Sequence, residues 1–456
     1  MRRILLLMAA VAVSYSAIAE GYQTNNFSAR QSGMANVGTG MNLGAESVWF
    51  NPAAVVMQES LLDVSAGLSG IIAKHSYAND LLSATTGNDF TMPFNIYASV
   101  RPFKWFAVGV ALNTPNSYNI NWGDGWAGAH ICQNMSLNQY NFQPTLSVRL
   151  GEKLSVGAGM MVTWGNFGFS RSLLAVGAST NAFIEQMSGI PALGDVIGSS
   201  PLASIELSGQ ATPAIGFNVG LFWDVNKIFS LGVTYRHPIR MKVEEGSASL
   251  RFIENEYLGA AAETMLDRMA GLSNDVLSQS TIATELVTPG SIALGVSLHP
   301  FKILDISADL QYNLWSSYKE QRIYMNTPSD TTELTNDVTA QRGYKNSFTA
   351  RLGVQLSPLG WISARAGIFF DESPVKDDVL MPNVPSMSKI GVTAGLSLRF
   401  FRLIFLDLAY GYTLPVEGGR TGSTQYTNML TQQPELFSGT YSGDAHTFSV
   451  GLRLSF

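Results

Sequence analysis

The chain has 456 residues, 28 of them basic and 34 acidic, for a formal net charge of −6; 46% are hydrophobic, 11% aromatic and 14% charged. Soluble proteins carry about 25% charge, so this deficit, with a mean hydropathy of +0.12, points to a surface that faces something other than water. The acidic balance and the absence of a basic cluster argue against nucleic acid as a partner, and a single cysteine, Cys132, leaves no disulfide framework and no cysteine-based zinc site.

At the N-terminus, Arg2 and Arg3 precede an apolar run over 4–13, and Ala17-Ile18-Ala19 is a small-x-small cleavage site. Residues 1–19 therefore read as a secretory signal peptide whose core is too short to span a bilayer. No later stretch approaches the ~18 uninterrupted apolar residues of a helical span; even the greasiest window, 400–410, is broken by Arg402 and Asp407.

Residues 20–59 are rich in glycine and small side chains, with a turn signal at Asn51-Pro52. Forty such residues cannot build a core of their own. They read either as a disordered periplasmic arm or as a plug inside a larger structure, and Val48, Trp49 and Phe50, which need burial, favour the plug.

From residue 60 to the C-terminus about fourteen strand-like segments follow, and their connectors alternate strictly between short and long. The short ones fall at 101–104, 150–153, 223–227, 299–302, 357–360 and 400–402. The long ones cover roughly 73–90, 114–136, 169–206, 252–279, 326–338, 372–387 and 417–442. Tight turns on one side and long loops on the other are the signature of a membrane-spanning antiparallel barrel with an even strand number. Within segments the period is two: Tyr140, Phe142, Leu146, Val148 and Leu150 alternate with Gln139, Asn141, Gln143, Thr145, Ser147 and Arg149. The last strand ends on the aromatic Phe456. The fold class expected is all-β: a transmembrane antiparallel β-barrel of about fourteen strands over 60–456, with an N-terminal hatch over 20–59 in its lumen.

Two loops are apolar for surface loops. In the third, Ala182, Phe183, Ile184 and Met187 form a short apolar turn. In the fourth, Leu258, Ala261, Ala262, Met265, Leu266, Met269 and Leu272 recur at helical spacing. Such helices either pack on each other to stiffen the loops or present a groove to an apolar ligand, for which methionine is adaptable. Strand parity turns Arg149, Arg236, Arg351, Arg365, Arg399 and Arg453 inward, with Asp305, Asp309 and Asp407. Arg351 and Arg365 flank one short turn and are expected to be neighbours near mid-barrel. They either pair with luminal carboxylates, including Glu46, or meet a ligand carboxylate through their planar donors. The five histidines are scattered without metal-ligand spacing, and no nucleotide motif is present. No enzyme, cofactor or metal is expected.

The segment Gly44-Ala45-Glu46-Ser47-Val48-Trp49-Phe50-Asn51-Pro52-Ala53 resembles the hatch motif of the outer-membrane transporters of long-chain fatty acids and aromatic hydrocarbons. Further similarities follow in order at Trp122 to Gly128, Thr288-Pro289-Gly290, Leu294-Gly295-Val296, Trp315-Ser316, Arg365-Ala366-Gly367, Asp371 to Val375 and Asp407-Leu408-Ala409-Tyr410. One departure is Thr114-Pro115-Asn116, where the family often has Pro-Phe-Gly. The resemblance implies a monomer in the bacterial outer membrane, surrounded by outer-membrane lipids and delivered by the assembly machinery through Phe456. Its partner would be a hydrophobic small molecule such as a fatty acid, moving passively. Capture would lie between loops three and four (Phe183, Ile184, Met187, Leu258, Met265, Leu266, Met269), followed by rearrangement of a hatch built on Glu46, Trp49, Phe50, Asn51, Pro52 and Ala53. Exit would be lateral at the third strand, around Gly109 and Pro115. The small residues there could equally make room for the hatch. A general porin or a structural or adhesive barrel are the alternatives.

Overall fold

The computed structural model describes residues 26–87, 89–270, 273–326, 337–341, 343–401, 403–427 and 433–456. The signal-peptide reading at 1–19 lies outside these residues. Fourteen antiparallel strands form the wall and are numbered in chain order: β1 Leu62–Ala78, β2 Phe94–Phe103, β3 Phe106–Asn121, β4 Asn134–Leu150, β5 Leu154–Ser172, β6 Ala203–Asn226 and β7 Phe229–Arg236. The second half comprises β8 Ser291–Phe301, β9 Leu304–Asn313, β10 Ser347–Leu359, β11 Ile362–Asp371, β12 Lys389–Phe400, β13 Ile404–Pro415 and β14 Pro434–Ser455. Each pairs with the next, and β14 returns to β1 in rungs from Asp63↔Ser455 to Ala78↔Thr440, so the sheet closes on itself.

Closure is what lipid demands, because a bilayer core offers backbone groups no water to bond. Period two sorts the side chains accordingly. On β4, Phe142, Leu146 and Leu150 are exposed on the outside, while Gln139, Asn141, Gln143, Thr145 and Ser147 are buried inside. The inward polar groups bond to one another across strands: Asn141 Nδ2 donates to Asn113 Oδ1 (3.0 Å) and Thr163 Oγ1 donates to Asn141 Oδ1 (3.3 Å).

Residues 26–57 run inside the wall. They are short pieces, α1 Ala29–Ser32, α2 Ser47–Phe50 and 3₁₀ turns at Gly44–Glu46 and Pro52–Met57. The segment circles the lumen at the height where the wall strands carry glycine. A Cβ on Gly451 of β14 would lie 3.0 Å from Ala29; on Gly395 of β12, 2.8 Å from the Gly33 Cα; on Gly367 of β11, 2.6 Å from the Ala35 nitrogen. Further round, a Cβ on Gly295 of β8 would reach the Gly40 nitrogen at 2.4 Å, and one on Gly232 of β7 the Thr39 oxygen at 1.7 Å. Backbone packs directly on backbone there, an approach that only glycine permits. The collar is also bonded to the wall. Asp309 on β9 accepts from the Gly38 and Thr39 amides (2.8 and 3.0 Å), and the Ser147 and Ser155 hydroxyls both donate to the Ala53 carbonyl (3.0 and 2.6 Å).

The external mouth is roofed. Trp122 stacks on Trp126 (centroids 4.6 Å), and Tyr77 on Phe437 (4.9 Å). Trp122 Nε1 donates to the Pro382 carbonyl (2.8 Å), and Tyr118 Oη to the Asn383 carbonyl (3.0 Å), tying the second loop and upper β3 to the sixth loop. His130 lies in this roof against Tyr426, and burial pushes its imidazole down to about 4.

Two outcomes are expected. Gly232→Val should expel the N-terminal segment while the wall still closes. Its gel mobility should therefore still shift on heating, and protease should now cut within 26–57; parental protection would refute the collar. A neutral His130 stabilises the roof fully above the unfolded value near 6.5, and that contribution is lost as pH falls from there towards 4. Hydrogen exchange in 122–133 should accelerate across that window in the parent and change less in His130→Gln.

Candidate functional site: a luminal cavity between collar and roof

Between the collar and the roof lies a cavity of about 160 Å³. Its floor is Asn26, Ser32 and Asn36 of the N-terminal segment. Its apolar wall includes Ile71, Ala73, Phe369 and Met387, and its polar wall includes His75, Asp89, Asp371 and Lys389. Two of these groups are uncommitted. Lys389 holds no ion pair or hydrogen bond among the described residues, and His75 Nδ1 is buried without a partner. Asp371 and one oxygen of Asp89 are engaged: the first accepts from Thr349 Oγ1 (2.7 Å), Asp89 Oδ1 accepts from the Asn121 amide (3.0 Å), and Asp89 Oδ2 is buried without a partner. The cavity thus offers an apolar surface with an available cation and imidazole.

The two arginines expected to meet a ligand carboxylate are elsewhere, and they are not neighbours. Register sets Arg365 opposite Gln355 and Arg351 opposite Phe369, four rungs or roughly 13 Å apart along the strands. Both side chains face inward as parity requires, but depth depends on where the hairpin turns, and it turns at Gly360-Trp361, after the Leu359↔Ile362 rung, and not over 357–360. Neither arginine lines the cavity. Arg365 Nε donates to Gln355 Oε1 (2.7 Å) and its guanidinium faces Asp407 at 3.5 Å, both groups almost fully buried. Arg351 Nη1 donates to Gln311 Oε1 (3.1 Å).

The residues of the Gly44–Ala53 stretch come together in the collar. Glu46 is buried and accepts from Ser65 Oγ (2.9 Å). Trp49 lies under the Arg236 guanidinium, 3.9 Å from the ring centroid, and its carbonyl accepts from Arg236 Nη2 (2.9 Å). Phe50 packs on Phe27 edge to face (6.1 Å). Asn51 does three things. Its Oδ1 caps the following turn by accepting from the Ala53 amide (3.1 Å), and its Nδ2 donates to the Thr39 and Leu221 carbonyls (2.9 and 3.1 Å). Pro52 occupies the first turn position, where a missing N–H costs nothing, and packs on Gly157 of β5.

The loop helices are α3 Ala178–Ser188, α4 Leu193–Ile197 and α5 Glu256–Ala270. Ile184 and Leu258 pack into a small cluster with Leu193, Ile197, Leu202 and Ala262. Leu266 packs against the main core, Phe183 is exposed, and Met265 lines an open hollow with Ala260, Ala261, Thr264 and Arg268. The side chains of Met187 and Met269 lie outside the described residues.

At the third strand, Gly109 is paired on both sides, to Ser99 and Thr145, and its inner face is covered by Val48. Pro115 sits at the break in register between Asn113 and Asn116. Above that break β3 pairs with β4 alone, because its last rung with β2 is Asn95↔Asn113. The half-paired stretch includes Ser117, Tyr118 and Asn119, which line the cavity.

Comparison with known proteins agrees with this architecture. The family model described as outer membrane protein transport protein (OMPP1/FadL/TodX) matches residues 10–456. A long-chain fatty acid transport protein of Salmonella typhi is 21% identical over 436 residues, covering 89% of this chain and 90% of its own. A putative outer membrane protein of Neisseria meningitidis is 24% identical over 220 residues, 47% of this chain and 46% of its own. Among solved structures, a Pseudomonas aeruginosa FadL homologue superposes with a TM-score of 0.76 at 17% identity, covering 96% of this chain and all of that one. The Pseudomonas putida toluene transporter TodX gives 0.66 at 14%, covering 95% and 99%. The chain is an outer-membrane protein and belongs to the OMPP1/FadL/TodX transport family.

Proposed function

We propose that this chain imports hydrophobic molecules passively across the outer membrane, and that the luminal cavity is their transit site. The observation that carries this is a luminal cavity with a substantial apolar wall, floored by the N-terminal segment and lying inside a mouth narrowed by stacked aromatics. A porin for polar solutes needs neither the floor nor the aromatic mouth, and a structural or adhesive barrel needs no internal apolar space. The volume limits the cargo. A cavity of about 150 Å³ lined by apolar groups holds one benzene ring, so this one admits a single ring or a short stretch of acyl chain. A longer molecule must move the collar, and the N-terminal segment then acts as a hatch. Loop helices α3–α5 supply the capture surface, through exposed Phe183 and half-buried Met265 and Leu266. The chain works as a monomer among outer-membrane lipids, with Phe456 as its assembly signal, and as a transporter rather than an enzyme.

Lys389, with His75, is the contact for an acidic cargo; Arg351 and Arg365 tie strands of the wall to one another. Exit is lateral, at the half-paired upper edge of β3 above Pro115, because an apolar molecule prefers bilayer to aqueous periplasm. Gly109 serves to seat Val48.

Lys389→Gln should weaken binding of a fatty acid about ten-fold or more, the size of a charge-assisted hydrogen bond, and leave its neutral alcohol unchanged. Arg365→Ala should lower both alike. Equal losses for acid and alcohol in Lys389→Gln, read by ligand titration of purified protein, would remove the carboxylate contact. For the exit, Asp89→Cys with Asn121→Cys in a Cys132→Ser background places a disulfide across the edge of β3. Oxidation should stop uptake of labelled ligand into cells and reduction restore it. Full transport with the bond closed would send the ligand downward instead.

A further inference from the structure

The short-turn side of the barrel carries a charge pattern that transport does not explain. Four consecutive turns, those joining β2–β3, β4–β5, β6–β7 and β8–β9, each hold one exposed lysine: Lys104, Lys153, Lys227 and Lys302. Each is followed at once by an apolar residue, and three of these are large and exposed, Trp105 at 58%, Ile228 at 54% and Ile303 at 47%. Phe103 and Phe301, on the near side of two of the lysines, are exposed at 57% and 67%. Arg101 and Arg149, near the ends of β2 and β4, add charge beside these turns, against Glu152 and Asp224, in a chain whose net charge is −6.

Ordinary structural roles do not use this charge up. Lys153 Nζ donates to the Val225 carbonyl (2.8 Å) and so links two turns. Lys104, Lys227 and Lys302 hold no ion pair or hydrogen bond among the described residues. Of the two remaining short turns, that joining β10 and β11 exposes Trp361 beside Gly360 and has no cation, and that joining β12 and β13 has Arg402 in place of a lysine, so the lysines themselves form an arc over four consecutive turns.

We propose that this arc binds the anionic headgroups of glycerophospholipids in the inner leaflet. Short turns of an outer-membrane barrel face the periplasm, which sets these residues at the headgroup level of that leaflet. Exposed aromatic and aliphatic side chains seat in the acyl boundary there, and a lysine beside them extends its ammonium to the phosphate plane. Cations at that depth attract anionic lipid, an effect that salt weakens within a Debye length. The adjacency of apolar anchor and cation on each turn selects a lipid over a soluble anion, since a free phosphate has no use for the apolar half.

The test is electron paramagnetic resonance of the full chain reconstituted in phosphatidylcholine vesicles, with spin-labelled phosphatidylglycerol or phosphatidylcholine as the probe. The parent should favour phosphatidylglycerol roughly two- to five-fold at low ionic strength. The preference should vanish in a K104Q/K227Q/K302Q triple variant and persist in the matching arginine variant, with heat-modifiable mobility confirming that both are folded. Inorganic phosphate at millimolar concentration should not compete. The proposal is overturned if the parent shows no preference, if the glutamine variant keeps it, or if Lys242→Gln on the external side abolishes it equally. Displacement by inorganic phosphate would also overturn it, by assigning the arc to a soluble anion.

Discussion

Every backbone donor and acceptor at bilayer depth must find its partner within the protein, since lipid supplies none. In this chain that requirement is met by the seam between β1 and β14, which closes the wall into a ring. Much else follows from closure. The outward face must be apolar, so the chain is poor in charge for its length. The inward face is left to polar side chains that satisfy one another in cross-strand ladders such as Asn113, Asn141 and Thr163. A closed wall of this size also encloses a lumen, and its contents become the functional question.

The lumen is filled by backbone laid on backbone. Side chains of ordinary size would hold an internal segment several ångströms off the wall and leave a leak around it. Glycines at one level of the wall let the segment from Ala29 to Pro52 lie flush, and single polar groups such as Asp309, Asn51 and Arg236 fix its position. The segment has no core of its own: its apolar side chains, Met34, Val37, Leu43, Val48, Trp49 and Val55 among them, are buried as part of the core they share with the wall.

The cavity occupies what collar and roof leave over. Its position beside the upper part of β3, where pairing with β2 has ended, joins an internal apolar space to a weak place in the wall. The wall is continuous lower down, where Gly109 lies between two paired neighbours and against Val48. The same strand therefore seals at one height and is half-paired at another, and Pro115 marks the change because it cannot donate to a ladder.

Sequence by itself determined what depends on local period and connector length. The alternation of Phe142 and Leu146 with Gln143 and Thr145 assigned the two faces of the wall, and the alternation of short and long connectors gave the strand number and antiparallel order. The Gly44–Ala53 stretch marked the segment that lies inside, and the spacing of Leu258, Ala262, Met265 and Leu266 marked a helix. Tertiary structure alone decided depth and neighbourhood. Arg351 and Arg365 share a parity but sit on different rungs, since register follows the place where the hairpin turns, Gly360-Trp361, which the local alternation does not encode. Lys389 and His75 lie on β12 and β1 and meet only because three hundred residues of intervening chain close into a ring; in sequence each is one polar residue in an alternating strand. The glycine collar was hidden for the same reason. Gly232, Gly295, Gly367 and Gly395 look like isolated weak points in their strands until closure brings them to one level and the N-terminal segment is laid across them.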